Sequence, residues 1–207
     1  MQKKSRTIPT DRPREFNTDL ALESAIHHFS VPGCHGSSIS DLNAALGLTT
    51  GSIYKAWGDK HGLLMAALER YIELRSAAVG QLLSAAPSGL AKLEALLGHY
   101  ADISSGNSGE VGCLVVETAM ELSASDEVIA ARLARQEASR RAQFTALLQE
   151  AEPDGSLPHQ DAIARCAALP IAMTQGMLLS GQSVRSRERM PAILATATSL
   201  LPRSPNP

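Results

Sequence analysis

The stretch SSISDLNAALGLTTGSIYKAWGDK, residues 37–60, decides the fold of this chain. Ser38 is followed three residues later by Asp41, a pairing typical of a capping box at the start of a helix. Gly47 can adopt the positive φ of a sharp reversal, and Thr49 is well suited to cap the helix that follows. The stretch therefore predicts two short helices joined by a turn. The inward residues of the first are expected to be Ile39, Leu42 and Ala45.

The second short helix is predicted to have one apolar and one polar side. Ile53 and Trp57 share the apolar side. The outward side offers hydroxyls, a bare backbone and one ammonium, which are partners for phosphates and base edges. Its residues are Thr50, Gly51, Ser52, Tyr54 and Lys55. Apolar residues at helical spacing indicate a bracing helix upstream, and they are Leu22, Ala25, Ile26 and Phe29. This pattern predicts a helix-turn-helix whose second helix enters the major groove of DNA.

Two further features of this region bear on DNA. Asp59 can cap a long helix that begins at Lys60, where backbone amides and a lysine charge would attract a phosphate. Gly51 has two interpretations: close backbone approach to DNA, or a position in the first helical turn where glycine costs little.

The charge of the chain is concentrated at its N-terminal end. The 207 residues carry a formal charge of −2, which excludes a uniformly basic nucleic-acid coat. Residues 1–14 nevertheless hold five basic side chains and one acidic side chain, so they form either a basic arm or a tail that only aids solubility. Arg12 and Arg14 belong to this segment.

Several classes of protein are excluded by what the chain lacks. The longest apolar run, residues 166–173, is too short for a membrane helix, and no export signal follows the first residues, so we expect a cytoplasmic protein without a membrane partner. The three cysteines match neither a paired disulfide framework nor a metal knuckle. The chain shows no catalytic motif, so no enzyme activity, cofactor or metal is expected.

Few aromatic residues and abundant Ala and Leu predict an all-α protein. Beyond the helix-turn-helix, helices are expected over 60–84, 89–105, 110–123, 126–151, 159–181 and 187–201. Apolar stripes on the last two are expected either to form a dimer interface or to face the protomer's own core. The stripes consist of Ile163, Ala167, Ile171, Thr174, Leu178, Met190, Ile193, Leu194, Ala197 and Leu201.

The helix predicted over 110–123 is apolar except for a few groups that would face a ligand cavity. Its candidate residues, with two from the preceding helix, are His99, Tyr100, Cys113, Glu117 and Met120. Cys113 is either a small buried apolar residue or a reactive thiol or metal ligand that senses an electrophile, an oxidant or a metal.

The quoted stretch, within residues 12–72, resembles the TetR family of bacterial transcriptional regulators, and Gly112-Cys-Leu-Val-Val resembles one branch of it. The resemblance implies phosphate contacts from Ser38, Thr49, Tyr54 and Lys60, and base reading by Thr50, Gly51, Ser52 and Lys55. The resemblance also implies that Arg12 and Arg14 belong to an N-terminal arm that can reach a neighbouring minor groove. Ala56, Trp57 and Asp11 depart from the family pattern.

The expected organisation is a flexible basic arm over 1–14, a helix-turn-helix domain over 15–61, and a helical regulatory, ligand-binding and dimerisation domain over 62–207. The resemblance implies a homodimer that binds double-stranded operator DNA and releases it when a small-molecule inducer binds. Repression is favoured, although the sequence leaves activation open. A helical ligand-binding protein without DNA binding is the alternative of another class.

Overall fold

The computed structural model describes residues 16–151 and 168–201. Every regular element in these two ranges is an α-helix, as predicted. The helices are α1 (Thr18–Phe29), α2 (Ile39–Leu46), α3 (Thr50–Trp57), α4 (Lys60–Ser84), α5 (Gly89–Ile103), α6 (Gly106–Val111), α7 (Leu114–Leu122), α8 (Glu127–Ala151), α9 (Ala168–Ser180) and α10 (Val184–Ser199).

Side-chain caps place the first turns of α2 and α3 as predicted. The Ser38 hydroxyl accepts the Asp41 amide while the Asp41 carboxylate accepts the Ser38 amide, which completes the capping box. Gly47 ends α2 with φ of 65°, and Thr49 accepts the Ser52 amide at the start of α3. One detail was wrong: Ala45 is exposed. An eight-residue helix buries only a narrow stripe, and here Leu42 is its one buried side chain.

The capping box gives a first testable prediction. We expect Ser38→Ala to lower the free energy of unfolding by about 1 kcal/mol, because the Asp41 amide loses its side-chain acceptor. Chemical denaturation measures the change. Ser40→Ala is the control, because Ser40 is an exposed residue of the same helix outside the cap. Equal stability of the two variants would contradict the assignment.

One hydrophobic core joins the helix-turn-helix to the helices that follow. Phe29, Leu42 and Ile53, from α1, α2 and α3, are each 0% exposed within it. Leu64 of α4 and Leu122 of α7 belong to the same cluster. The predicted domain boundary between residues 61 and 62 thus falls inside the continuous helix α4, which connects the two regions mechanically.

A second core surrounds α5, against which α8, α9 and α10 pack. It corrects the predicted dimer interface, because most of the proposed stripe faces the protomer's own interior. Those buried residues are Ile171, Thr174, Leu178, Met190, Ala197 and Leu201, whereas Ile193 and Leu194 are half-buried. Ile163 and Ala167 lie outside the described residues. These apolar residues are buried within one chain, because several helices pack around α5.

The helix expected over 110–123 is in fact two helices. Gly112 has φ of 84° and Cys113 is extended, so the helical hydrogen bonds break between α6 and α7. Residues 106–109, which lie between the helices predicted over 89–105 and 110–123, form most of α6 instead of a loop. No described helix is long and apolar enough to span a bilayer.

Candidate nucleic-acid interface and ligand cavity

The polar face of α3 is presented to solvent because its opposite face is anchored. Ile53 is fully buried beneath the helix, and the Trp57 ring lies 5.5 Å from the Phe16 ring, centroid to centroid. Tyr54 on the other side is 46% exposed, and Lys55 is exposed beside it. The face thus presents a hydroxyl and an ammonium that reach outward, which suits contact with phosphates and base edges.

Hydroxyl groups hold α2 and α3 in a set geometry. Thr50 Oγ1 accepts a hydrogen bond of 2.8 Å from Asn43 Nδ2, which connects the two helices directly. Thr49 Oγ1 lies 3.0 Å from Ser52 Oγ at the cap of α3. Thr50 is therefore engaged within the protein, whereas Ser52 is half-exposed at the end of the helix that would meet DNA.

Gly51 lies in the first turn of α3 and is exposed. A Cβ atom built there would meet only Thr49 Oγ1, at 4.0 Å. The fold therefore does not require glycine at this position, and the open space in front of it is available to an external partner.

Lys60 begins α4 as predicted, but its side chain is directed toward the α1–α2 loop. Its ammonium donates to the carbonyl oxygens of Cys34 at 2.8 Å and Ser37 at 3.0 Å. The charge consequently lies next to Ser38, the exposed N-cap of α2. Lys60 thus orders this loop besides bringing positive charge to it. Arg12 and Arg14 lie outside the described residues.

One of the few polar groups of the helix predicted over 110–123, Glu121, does not line the cavity between the later helices but connects α7 to the same loop. Glu121 accepts hydrogen bonds from the backbone amides of Cys34 and His35, the first at 2.7 Å, and lies 2.9 Å from His35 Nδ1. Gly33 has φ of 71°, and a Cβ there would lie 2.8 Å from Glu121 Oε2. Glu121 is separated from the loop by more than 80 residues, so no local pattern signals the contact.

A cavity lies between α4, α5, α7, α8 and α9, with a volume of about 50 Å³. The structure brings together three of the predicted ligand residues there, namely His99, Tyr100 and Cys113. The sequence missed two cationic lining residues, Arg75 and Arg140. They lie on long helices whose surfaces carry many charges, so nothing local distinguishes them.

The two other predicted ligand residues lie elsewhere. Glu117 does not line this cavity, and its carboxylate instead accepts a hydrogen bond from Gln182. Met120 is 69% exposed and lines an adjoining groove of about 470 Å³. α7 begins only at Leu114, which turns these two side chains away from the direction that an unbroken helix would give them.

Cys113 is 5% exposed, and the Tyr71 hydroxyl donates to its sulfur at 3.3 Å. This burial does not favour a thiol sensor, because reactive thiols are accessible. Among the described residues, no three His, Cys, Asp or Glu side chains are grouped to hold a metal ion.

Comparison with known proteins decides the family. Residues 89–197, just over half of the chain, match the family model described as the tetracyclin repressor-like C-terminal domain. The chain belongs to the TetR family. It is therefore a helix-turn-helix transcriptional regulator and not an enzyme, and the predicted fold class is confirmed.

Relatives of this chain and solved structures similar to it agree with this assignment. The transcriptional repressor ComR of Escherichia coli is 27% identical over 192 residues, which is 92% of this chain and 91% of ComR. The repressor BdcR of the same organism is 31% identical over 116 residues, covering 56% of this chain and 58% of BdcR. A cysteine mutant of the TetR regulator CifR, solved with a 26-base-pair operator DNA, has a TM-score of 0.83 and 26% identity. That alignment covers 92% of this chain and all of the CifR chain.

Proposed function

We propose that this protein is a dimeric, cytoplasmic repressor that binds operator DNA through α3 and releases it when a small molecule enters the bundle. The exposed face of α3, opposite the buried Ile53, carries the proposal. Gly51, Tyr54 and Lys55 are all exposed on this short helix, and none of them belongs to the hydrophobic core beneath it. The names of ComR and BdcR, both repressors, favour repression over activation.

Release is proposed to pass through α4 and α7. Both helices line the cavity, through Arg75 and Val115. α4 begins at Lys60, and α7 carries Glu121 near its end, and these two side chains hold the loop before α2. The ligand need only bind better to a dimer in which the two α3 helices are wrongly spaced for the operator. If its binding free energy favours that state by about 3 kcal/mol, operator affinity falls more than a hundredfold.

The dimer is proposed to form through the exposed side of α9 and α10. Leu179 is 48% exposed and Leu200 is 57% exposed, and Gly176 is exposed near both. A groove of about 620 Å³ runs between the two helices, lined by small and apolar residues that include Gly176 and Ala192. Small residues allow two such helix pairs to approach closely about a two-fold axis.

Gly176→Glu tests this face. A Cβ at Gly176 meets nothing within 4 Å, so the protomer accommodates the side chain, whereas the proposed dimer would have to bury one uncompensated carboxylate from each protomer. We expect light scattering at micromolar concentration to show a dimer for the wild type and a monomer for the variant. Gly80→Glu is the control, since Gly80 is also exposed and open but lies on α4. A Gly176→Glu dimer would place the interface elsewhere.

Operator binding is tested by gel shift with the promoter fragments next to the gene. The wild type should retard one of them at a concentration that leaves random DNA free, and Gly176→Glu should bind it much more weakly. A helical ligand-binding protein without DNA binding would retard none of these fragments.

A further inference from the structure

Two arginine side chains face the cavity, and within residues 16–151 and 168–201 neither is paired with a carboxylate. The guanidinium carbon of Arg75 lies 5.0 Å from the centroid of the Tyr71 ring, and that of Arg140 lies 5.1 Å from the Tyr100 ring. The ion pairs of neighbouring arginines, such as Arg132 with Glu69, involve neither of them. A desolvated cavity with two cations and no carboxylate in its lining favours an anion inside it.

The remaining groups of the cavity add no compensating charge. The other lining residues are apolar or neutral, for example Ile103, Val115 and Gln136. Burial and the nearby Arg75 charge hold the pKa of His99 below its ordinary value, against a weaker opposing effect of Asp102. Burial also raises the pKa of Tyr100, so its hydroxyl keeps its proton.

Arg140 is positioned and yet incompletely satisfied. Its Nη2 donates to Thr174 Oγ1 at 2.6 Å, and the fully buried Thr174 in turn donates to the carbonyl oxygen of Ile171. Its Nε is buried and forms no hydrogen bond to the described residues. A charged donor left without an acceptor beside a cavity is costly unless a ligand supplies the acceptor.

The shape of the site indicates the rest of the ligand. The cavity of about 50 Å³ accommodates a group of a few atoms, such as a carboxylate. Val115, Gln136 and Arg140 also line the groove of about 470 Å³, whose wall is mostly apolar. The one carboxylate in that lining, Glu137, is engaged by Arg141 and Gln175. An apolar body therefore suits the groove while an anionic head occupies the cavity.

We propose that the effector is a small organic monoanion, a carboxylate with an apolar body, whose head is bound by Arg140 and Arg75. This inference rests on the proposed function, since it names the chemical class of the inducer. Arg140 presents planar donors that match a carboxylate, and Arg75 adds a second cation in the lining of the same cavity.

The test uses the full chain and matched pairs of probes. Phenylacetate and octanoate are compared with phenylacetamide and octanamide, which have the same shapes without the charge, by thermal shift and titration calorimetry at millimolar concentration. We expect at least one carboxylate to bind and to raise the melting temperature, and its amide to bind about tenfold more weakly or not at all. Arg140→Gln should abolish the difference between acid and amide.

Arg135→Gln is the matched control, because Arg135 is an exposed arginine of the same helix, α8, and lines neither the cavity nor the groove. It should bind the carboxylate like the wild type. The inference is overturned if neither carboxylate binds, if an amide binds as well as its acid, or if Arg140→Gln retains the preference. Gel shift with the wild type separates the two proposals: operator binding without carboxylate binding rejects the effector class alone, whereas absent operator binding rejects the proposed function.

Discussion

The double variant Tyr54→Ala, Lys55→Ala is expected to lose about a hundredfold in operator affinity while its melting temperature stays that of the wild type. Both side chains are exposed on α3 and make no packing contact that the core depends on. Each contact with DNA contributes about 1–3 kcal/mol, so the loss of two amounts to about 2–6 kcal/mol, or roughly one and a half to four orders of magnitude in affinity. Fluorescence anisotropy at one fixed salt concentration measures it.

Arg141→Ala controls for the loss of a positive charge, because this exposed arginine lies on α8 rather than on α3. It should leave operator affinity within about twofold of the wild type, since a remote exposed charge is largely screened at physiological salt. If the double variant binds as tightly as this control, α3 is not the reading helix and the proposed function fails.

Substitutions of Lys60 and Lys55 are expected to affect DNA binding in different ways. Lys60→Gln should weaken binding to operator and random DNA alike and lower the salt dependence, whereas Lys55→Ala should alter sequence preference. The structure adds a second effect for Lys60, because its ammonium also holds the carbonyls of Cys34 and Ser37. Its variant should therefore also melt earlier. Equal losses on operator and random DNA for both variants would remove the distinction.

Glu121→Gln is expected to destabilise the protein by about 1–3 kcal/mol and to weaken the response of the operator complex to an effector. The carboxylate accepts two backbone amides, and an amide side chain can accept only one of them while its NH₂ group faces the other. Amide hydrogen exchange at Cys34 and His35 should accelerate, because the loop loses its link to α7. Chemical denaturation measures the loss of stability, and hydrogen exchange followed by NMR measures the loosening of the loop.

Glu110→Gln is the control for Glu121→Gln, since Glu110 is an exposed carboxylate on α6, the helix before α7. Its exchange rates at Cys34 and His35 should be those of the wild type. Unchanged exchange in Glu121→Gln would show that the loop is held by other contacts, and the proposed route from cavity to DNA would then run through α4 alone.

The helix-turn-helix was predictable because its determinants are local. Ser38 with Asp41, the reversal at Gly47 and the cap at Thr49 each act within four residues, so spacing alone predicts them. Burial of Ile53 and exposure of Lys55 follow from the helical repeat. The arm with Arg12 and Arg14 stays a prediction, as do the individual DNA contacts.

The regulatory half was predicted only in outline. The positions of most of its helices agree with the sequence pattern, but the break at Gly112 did not, because an isolated glycine is compatible with either a helix or a turn. Most of the apolar stripe on α9 and α10 is buried within the chain, which is the second of the two interpretations that the sequence left open, since an apolar stripe does not reveal whether it meets its own chain or a copy.

The sequence alone was sufficient to predict the helix-turn-helix, because caps, turns and the 3.6-residue repeat act between near neighbours in the chain. The cavity, and the contacts that connect its helices to the loop before α2, became visible only in the tertiary structure. Arg75 and Arg140 come from different helices, and Glu121 contacts a loop 86 residues away in the chain. Such contacts depend on how helices pack in space, and a linear pattern carries no record of which distant side chains that packing brings together.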